Sequence, residues 1–182
     1  MKVGLNHVAF LVSNIESALE AVSFPNDLLG KIEEFPSEGT RELYIGKDNQ
    51  MGRLLLMEAI GDGPYKSALE KRGPGLHHIA LDVENVDTYV GQLTGSGWLM
   101  HPASLKFYNH NRQVYLSRPA TPVLMEIQER KEIMNGNHFI ERVVVPFKEL
   151  RLLESLACSK LAIGDRVQIF GQNNEEIKLH GI

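Results

Sequence analysis

Displaced by 71 residues, the first third of the chain lies on the second. Leu5 to Val12 falls on Leu76 to Val83, which sets His7 on His78 and Ala9 on Ala80. With no gap, Asn14-Ile15 falls on Asn85-Val86, and Arg41 to Ile45 falls on Arg112 to Leu116. One offset that holds over three separated segments marks a duplicated unit, not a coincidence among common strand residues. Each copy opens with a strand pattern, Val3 to Val12 and Leu76 to Val83. A helix follows. In the first copy Ser13 and Glu16 have the spacing of a capping box, and Ile15, Ala18, Leu19 and Val22 form an apolar stripe of helical period. In the second, Val86, Tyr89, Val90 and Leu93 repeat the stripe, and Gly95 and Gly97 stop it. Three short strand candidates complete each copy, near 31–35, 40–45 and 52–59, then near 98–102, 112–117 and 123–128. Turn residues separate them, among them Pro36, Gly39 and the stretch from Pro119 to Pro122. Each copy therefore reads βαβββ. A four-stranded sheet with one helix has a second face to bury, so the copies are expected to pair. The expected fold is α+β, with modules 1–72 and 73–130 forming a curved eight-stranded sheet around a cleft.

Residues 131–182 follow another pattern. Asn135 to Asn137 reads as a linker, followed by a strand at 139–145 and an amphipathic helix carrying Phe147, Leu150, Leu153 and Leu156. Strands at 166–170 and 176–179 complete a βαββ order. This extension is either a truncated third copy, with Arg142 at the place of His7 and His78, or an appendage that covers a sheet or joins subunits. Its helix face must be buried somewhere, which makes a homodimer the default expectation.

Composition excludes several classes. A chain 43% hydrophobic and 23% charged has ordinary globular character. It contains nothing near the run of about 20 apolar residues that a membrane helix needs. A net charge of −4 argues against nucleic acid and leaves a small-molecule substrate as the expected partner. Cys158 is the single cysteine, so neither an intrachain disulfide nor a cysteine-based zinc site is available. The opening residues lack the long apolar run and cleavage site of a secretory signal, and a cytoplasmic setting is expected.

The repeat gives meaning to its polar positions. Alone, His7 or His78 is an ordinary half-buried histidine. Related by a pseudo-twofold that brings their strands together, both imidazoles point into one cleft, and imidazole is the commonest protein ligand for transition metals. Glu126 lies inside the apolar run Val123 to Ile127, where a carboxylate is costly unless paired or metal-bound. Its repeat mate is Leu55. Two histidines and one carboxylate are sufficient for a metal with open coordination positions. Glu42, with Gln113 as its mate, is the next candidate. In a desolvated cleft its pKa rises, which suits a general base; the alternative is a strand charge paired with Arg41 or Lys31. Arg41, Arg53, Lys71, Arg72, Lys106 and Arg112 are either anion contacts or solvated surface. Tyr44 and Tyr115 are either hydrogen-bond donors in the cleft or packing.

Residues 3 to about 130 resemble the vicinal-oxygen-chelate superfamily, which includes glyoxalase I, extradiol dioxygenases, antibiotic-resistance proteins and methylmalonyl-CoA epimerase. The likeness is greatest to the epimerases. Pro64 to Ala80, Asp27-Leu28-Leu29-Gly30 and Asn111-Arg112 carry it. The resemblance implies a divalent metal (cobalt, manganese, nickel, zinc or iron) held at His7, His78 and Glu126, with Leu55 at the place of the family's fourth ligand. It implies Glu42 as the base that removes a proton alpha to a carbonyl, Glu126 as a second catalytic carboxylate, and a small acyl-CoA substrate. Three features depart from the family. Leu55 cannot bind metal, and a three-residue gap would offer Glu58 instead. Bulky residues Leu105 to His110 replace a glycine-rich loop. The extension has no counterpart in the short epimerases. The Leu55 departure keeps a second reading open, an iron-dependent extradiol-type dioxygenase assisted by Tyr115 or His110. A third is a non-enzymatic small-ligand binder.

Overall fold

The computed structural model describes residues 1–119, 121, 123–133 and 136–179. The expected turn residue Pro122 and linker residue Asn135 lie outside them. The first copy folds as β1 (Val3–Val12), α1 (Ile15–Ala21), β2 (Glu33–Phe35), β3 (Thr40–Ile45), β4 (Arg53–Ala59) and α2 (Pro64–Arg72). The second folds as β5 (Gly75–Val83), α3 (Val86–Gln92), β6 (Leu99–Met100), α4 (Ser104–Asn111), β7 (Gln113–Ser117) and β8 (Leu124–Glu129). All eight strands join one sheet in the order β2-β3-β4-β1-β5-β8-β7-β6. β1 and β5 meet antiparallel at its centre, and each runs parallel to the last strand of its own copy. Read outward from that central pair, the two halves are the same, as the duplication requires.

Four local expectations need correction. The cap of α1 is Asn14, not Ser13: Asn14 is extended and its side chain accepts from Ser17 N at 2.8 Å. Its repeat mate Asn85 caps α3 by accepting from Thr88 N at 2.8 Å. Each copy also carries a second helix, so neither is a bare βαβββ unit. α2 runs between Gly63 and Gly73, and α4 occupies the stretch read as a substituted loop. In the extension the βαββ order is made by β9 (Arg142–Val145), α5 (Leu150–Ser155), β10 (Leu161–Ile163) and β11 (Gln168–Phe170). The expected strand at 176–179 makes only the single bridge Glu176 to Phe170, because no ladder extends beyond it.

Alternation sorts the sheet into two faces. Val8, Phe10, Val12, Leu54, Leu56, Ile79, Leu81, Met125 and Ile127 form the outer face, where Ile15, Ala18, Val86 and Tyr89 of the helices cover them. Val143, Val145, Leu152 and Leu156 of the extension belong to the same buried cluster. Each such side chain contributes about 1.5–3 kcal/mol on burial, so this outer face holds the molecule together. Two hydrogen bonds orient the extension there: Tyr89 Oη donates to Leu156 O at 2.8 Å, and Trp98 Nε1 to Leu152 O at 3.1 Å. Of the helix face that motivated a homodimer, Phe147 and Leu156 are buried within the chain and Leu153 partly so, while Leu150 stays exposed. The inner face buries a much smaller group, Ala9, Leu11, Leu55 and Met57, under Tyr65, Ala68 and Leu69 of α2. Much of the rest of that face is polar, with His7, His78, Glu42, Gln113, Glu126 and Gln128 on it.

Candidate metal centre and active site

The ladder between β1 and β5 is interrupted twice, between Leu5 and His7 and between Ala9 and Phe10, where β5 passes from His78 to Leu76. The unpaired residues are Asn6 and His77, 71 positions apart. A bulge lets two neighbouring side chains share one face. Here each puts a polar residue beside a histidine of the inner face.

His7, His78 and Glu126 are each 3% exposed and converge. His7 Nε2 is 3.0 Å from His78 Nε2, and Glu126 Oε2 is 3.0 Å from His78 Nε2 and 3.9 Å from His7 Nε2. Ligand bonds of about 2.0–2.2 Å to one ion set neighbouring donors roughly 3–4 Å apart. The remaining nitrogens are occupied. His7 Nδ1 lies 2.7 Å from Asn6 Oδ1, while Asn6 Nδ2 donates to both Asp82 oxygens at 2.9 Å. The acceptor therefore faces His7, the proton sits on Nδ1, and Nε2 keeps its lone pair. His78 Nδ1 lies 2.9 Å from His77 Nδ1. Glu126 Oε1 accepts from Gln113 Nε2 at 2.6 Å and from Gln128 Nε2, which turns Oε2 toward the histidines.

Protonation states agree with this donor set. Burial, with the neighbouring cations, pushes the His7 pKa down to about 3 despite the opposing pull of Glu126. Burial alone would raise Glu126, but His78, His7 and the Gln128 amide hold it well below the usual carboxylate range. A neutral imidazole and an ionised carboxylate are the forms a divalent cation binds. The three residues fit a metal ion.

Leu55 faces the same cavity, opposite Ala9 on one side and Tyr44 on the other, and is 2% exposed. Glu58 does not. It accepts from Ile15 N at 3.0 Å and from Arg41 at 3.1 Å. Its repeat mate Glu129 accepts from Val86 N at 3.0 Å and from Arg112 at 3.1 Å. Both are clamps at helix starts, and the gapped alignment that offered Glu58 as a ligand is excluded.

Glu42 lines the cavity and is half-buried. Burial raises its pKa against the opposing hydrogen bond from Thr40 Oγ1 at 3.0 Å. Burial also keeps Tyr44 and Tyr115, in the same lining, in their protonated, donating form. The cavity is about 130 Å3, and no lysine or arginine is among the described residues that line it. None of the six candidate cations reaches it. Arg41 and Arg112 serve the helix clamps, Arg53 lies over the Tyr44 ring and pairs with Asp48, and Lys71, Arg72 and Lys106 are exposed. His110 is exposed on α4, whereas Phe107 of that helix packs edge-on against Tyr115, with ring centroids 5.9 Å apart, and walls the cavity. A larger hollow of about 1230 Å3 between residues 22–28 and the extension contains no histidine or metal-like cluster.

Sequence reasoning missed the supporting residues Asn6, His77, Asp82 and Gln128, and Glu38 in the cavity wall. One signal was available. Asp82, Glu126, Gln128 and Arg130 of the second copy correspond to Leu11, Leu55, Met57 and Ala59 of the first. One half of the inner face is polar where the other is apolar.

A duplicated mixed sheet whose central strands aim two histidines, and whose β8 aims a carboxylate, into one cavity defines an enzyme of the vicinal-oxygen-chelate type. The chain belongs to the Glyoxalase/Bleomycin resistance protein/Dioxygenase superfamily, whose profile matches residues 6–116. Within it the chain is similar to the mitochondrial methylmalonyl-CoA epimerase of Homo sapiens, with 27% identity over 69% of this chain and 73% of that protein. The corresponding Dictyostelium discoideum protein is 25% identical over 69% of this chain and 78% of its own length. Among solved structures, a hypothetical protein of Bacillus halodurans shares the fold at a TM-score of 0.58 and 24% identity, covering 75% of this chain and all (100%) of that one. Methylmalonyl-CoA epimerase of Mycobacterium tuberculosis does so at a TM-score of 0.51 and 24% identity, over 69% and 87%. A Streptomyces coelicolor methylmalonyl-CoA epimerase in complex with 2-nitronate-propionyl-CoA matches at a TM-score of 0.54 and 19% identity, over 71% and 98%. No helix among the described residues is long and apolar enough to cross a membrane.

Proposed function

We propose that the chain is a metal-dependent isomerase that exchanges the proton alpha to the thioester carbonyl of a small acyl-CoA, with methylmalonyl-CoA the first substrate to test. The observation that carries this reading is Glu42, a half-buried carboxylate of raised pKa in the same cavity as His7, His78 and Glu126. Similarity to the human and Dictyostelium epimerases supports the substrate class. His7, His78 and Glu126 hold the cation. When bound, it supplies a Lewis acid for the carbonyl oxygen. Glu42 accepts the alpha proton, and the bonding electrons pass toward the carbonyl. Glu42 gives that proton up to solvent, and solvent water returns one to the opposite face of the carbon, which completes the inversion. Glu126, with Oε1 accepting from two amides and Oε2 turned to the histidines, is the weaker base of the two. Tyr44 and Tyr115 present neutral donors to substrate oxygens.

The test is solvent-deuterium exchange into methylmalonyl-CoA by metal-loaded protein. Exchange is expected in the wild type. Glu42→Gln is expected to slow it by roughly a hundredfold or more at unchanged metal content. No exchange in the wild type overturns the reading; equal rates in the variant move the base to Glu126. Leu55 favours a second reading. A two-histidine, one-carboxylate set with open positions is also that of ferrous oxygenases. Oxygen uptake by the iron-loaded protein with a catechol would establish it, and no uptake removes it.

A further inference from the structure

Two arms run from the metal-facing groups to one guanidinium, one hydrogen-bonded throughout and the other ending in an ion pair. The first starts at His7, whose Nδ1 meets Asn6 Oδ1 at 2.7 Å. Asn6 Nδ2 donates to both oxygens of Asp82, and Asp82 Oδ1 lies 3.6 Å from Arg130 Nε. The second starts at Glu126, whose Oε1 accepts from Gln128 Nε2. Gln128 Oε1 in turn accepts from the Arg130 guanidinium at 2.8 Å. Arg130 follows directly on β8, and its backbone N–H donates to Val83 O at 2.8 Å, fixing where the side chain departs.

The polarity of both arms is set from the arginine end. A guanidinium only donates. It therefore presents itself to an oxygen of Gln128, which leaves the Gln128 amide nitrogen for Glu126. Both Asp82 oxygens accept from the Asn6 amide nitrogen, and Arg130 opposes the burial that raises the Asp82 pKa. That leaves the Asn6 oxygen for His7 and places the His7 proton on Nδ1. The first copy has Ala59, Leu11 and Met57 at the positions of Arg130, Asp82 and Gln128, and Leu55 at that of Glu126. The half without a metal-facing carboxylate also lacks the network.

We propose that Arg130 is a positioning residue that holds His7 and Glu126 in their metal-facing states at once, one arm to each. This rests on the metal-site reading above. It goes beyond that reading by assigning control of two ligands to one half-exposed surface side chain outside the coordination shell.

The experiment measures zinc and cobalt(II) affinity of the full chain by competition with a chelating dye, beside the melting temperature of the metal-free protein. Arg130→Leu is expected to weaken binding roughly 10- to 100-fold, the usual consequence of losing an outer-shell partner. The metal-free melting temperature should stay the same, and the visible spectrum of the saturated cobalt form should shift. Arg130→Lys keeps the charge beside Asp82 but not the fork, so an intermediate affinity is expected. Combining Arg130→Leu with Asp82→Asn should cost less than the product of the two separate losses. Wild-type affinity and spectrum in Arg130→Leu would overturn the proposal while leaving the metal site standing. So would a loss of affinity that only tracks a loss of melting temperature. A wild-type protein that binds neither metal would bring down the metal reading and this inference together.

Discussion

On the proposed metal reading, Leu55 decides how many positions around the ion the protein leaves open. Its side chain is buried in the cavity wall, and its mate in the other copy is the carboxylate of Glu126. Leu55→Gln is therefore expected to tighten metal binding, by roughly tenfold or more if the new amide oxygen coordinates. Titration against a competing chelator would show it, and an unchanged affinity would place residue 55 out of reach. Glu42 makes a second prediction. Its pKa is raised in the fold, so its basic form exists above that raised value and is lost as the pH falls through it. The acidic limb of the exchange rate should then lie above about 4.3, the value for a free glutamate. A limb at or below that value would contradict Glu42 as the base. At this scale the sequence was legible where alternation holds. His7, His78, Glu126, Leu55 and Glu42 all fall on the inner face, because side chains alternate from His7 to Val12, from His78 to Val83 and along β3, β4 and β8. Asn6 and His77 were not legible, because strict alternation places them on the outer face and only the bulges turn them inward.

At the scale of elements, the repeat supplied the strand order and the two outer helices. It could not supply α2 and α4, which have no counterpart in each other's copy. α4 starts without a side-chain cap, and its residues mix aromatic and polar types with no continuous stripe to mark a helix. The 176–179 segment shows the opposite error: its pattern alternates, but a strand exists only where a neighbour pairs with it. α5 was visible from its leucines, though not what they meet. Tyr89 and Trp98 supply that contact, each donating to a backbone oxygen of α5 or its C-terminal cap in a buried setting. Tyr89→Phe leaves the Leu156 carbonyl unsatisfied. It is expected to cost about 1–2 kcal/mol, measured by denaturant unfolding. No change would mean that water replaces the lost donor.

The whole molecule unfolds as one unit if its buried clusters are a guide. Val143, Val145, Leu152 and Leu156 are packed into the same core as β1, β5 and β8. A chain ending at residue 130 would expose the apolar surface they cover, and is expected to lose several degrees or more of melting temperature or to aggregate. A truncated chain as stable as the full one, or two separate transitions in the full chain, would show the extension to be an independent domain. A change of pattern near 130 was visible in the sequence. The sharing of one core was not, since nothing local in either part records the other's surface.

The uneven inner face has one more consequence. A cup made of two matching halves would admit a ligand equally well in two poses related by half a turn about its axis. Leu55 and Met57 line one half of the cavity where Glu126 and Gln128 line the other, so those poses differ in energy. A bound molecule is therefore expected to take one of the two poses. On the proposed mechanism, Glu42 then meets the same face of the reacting carbon at every turnover.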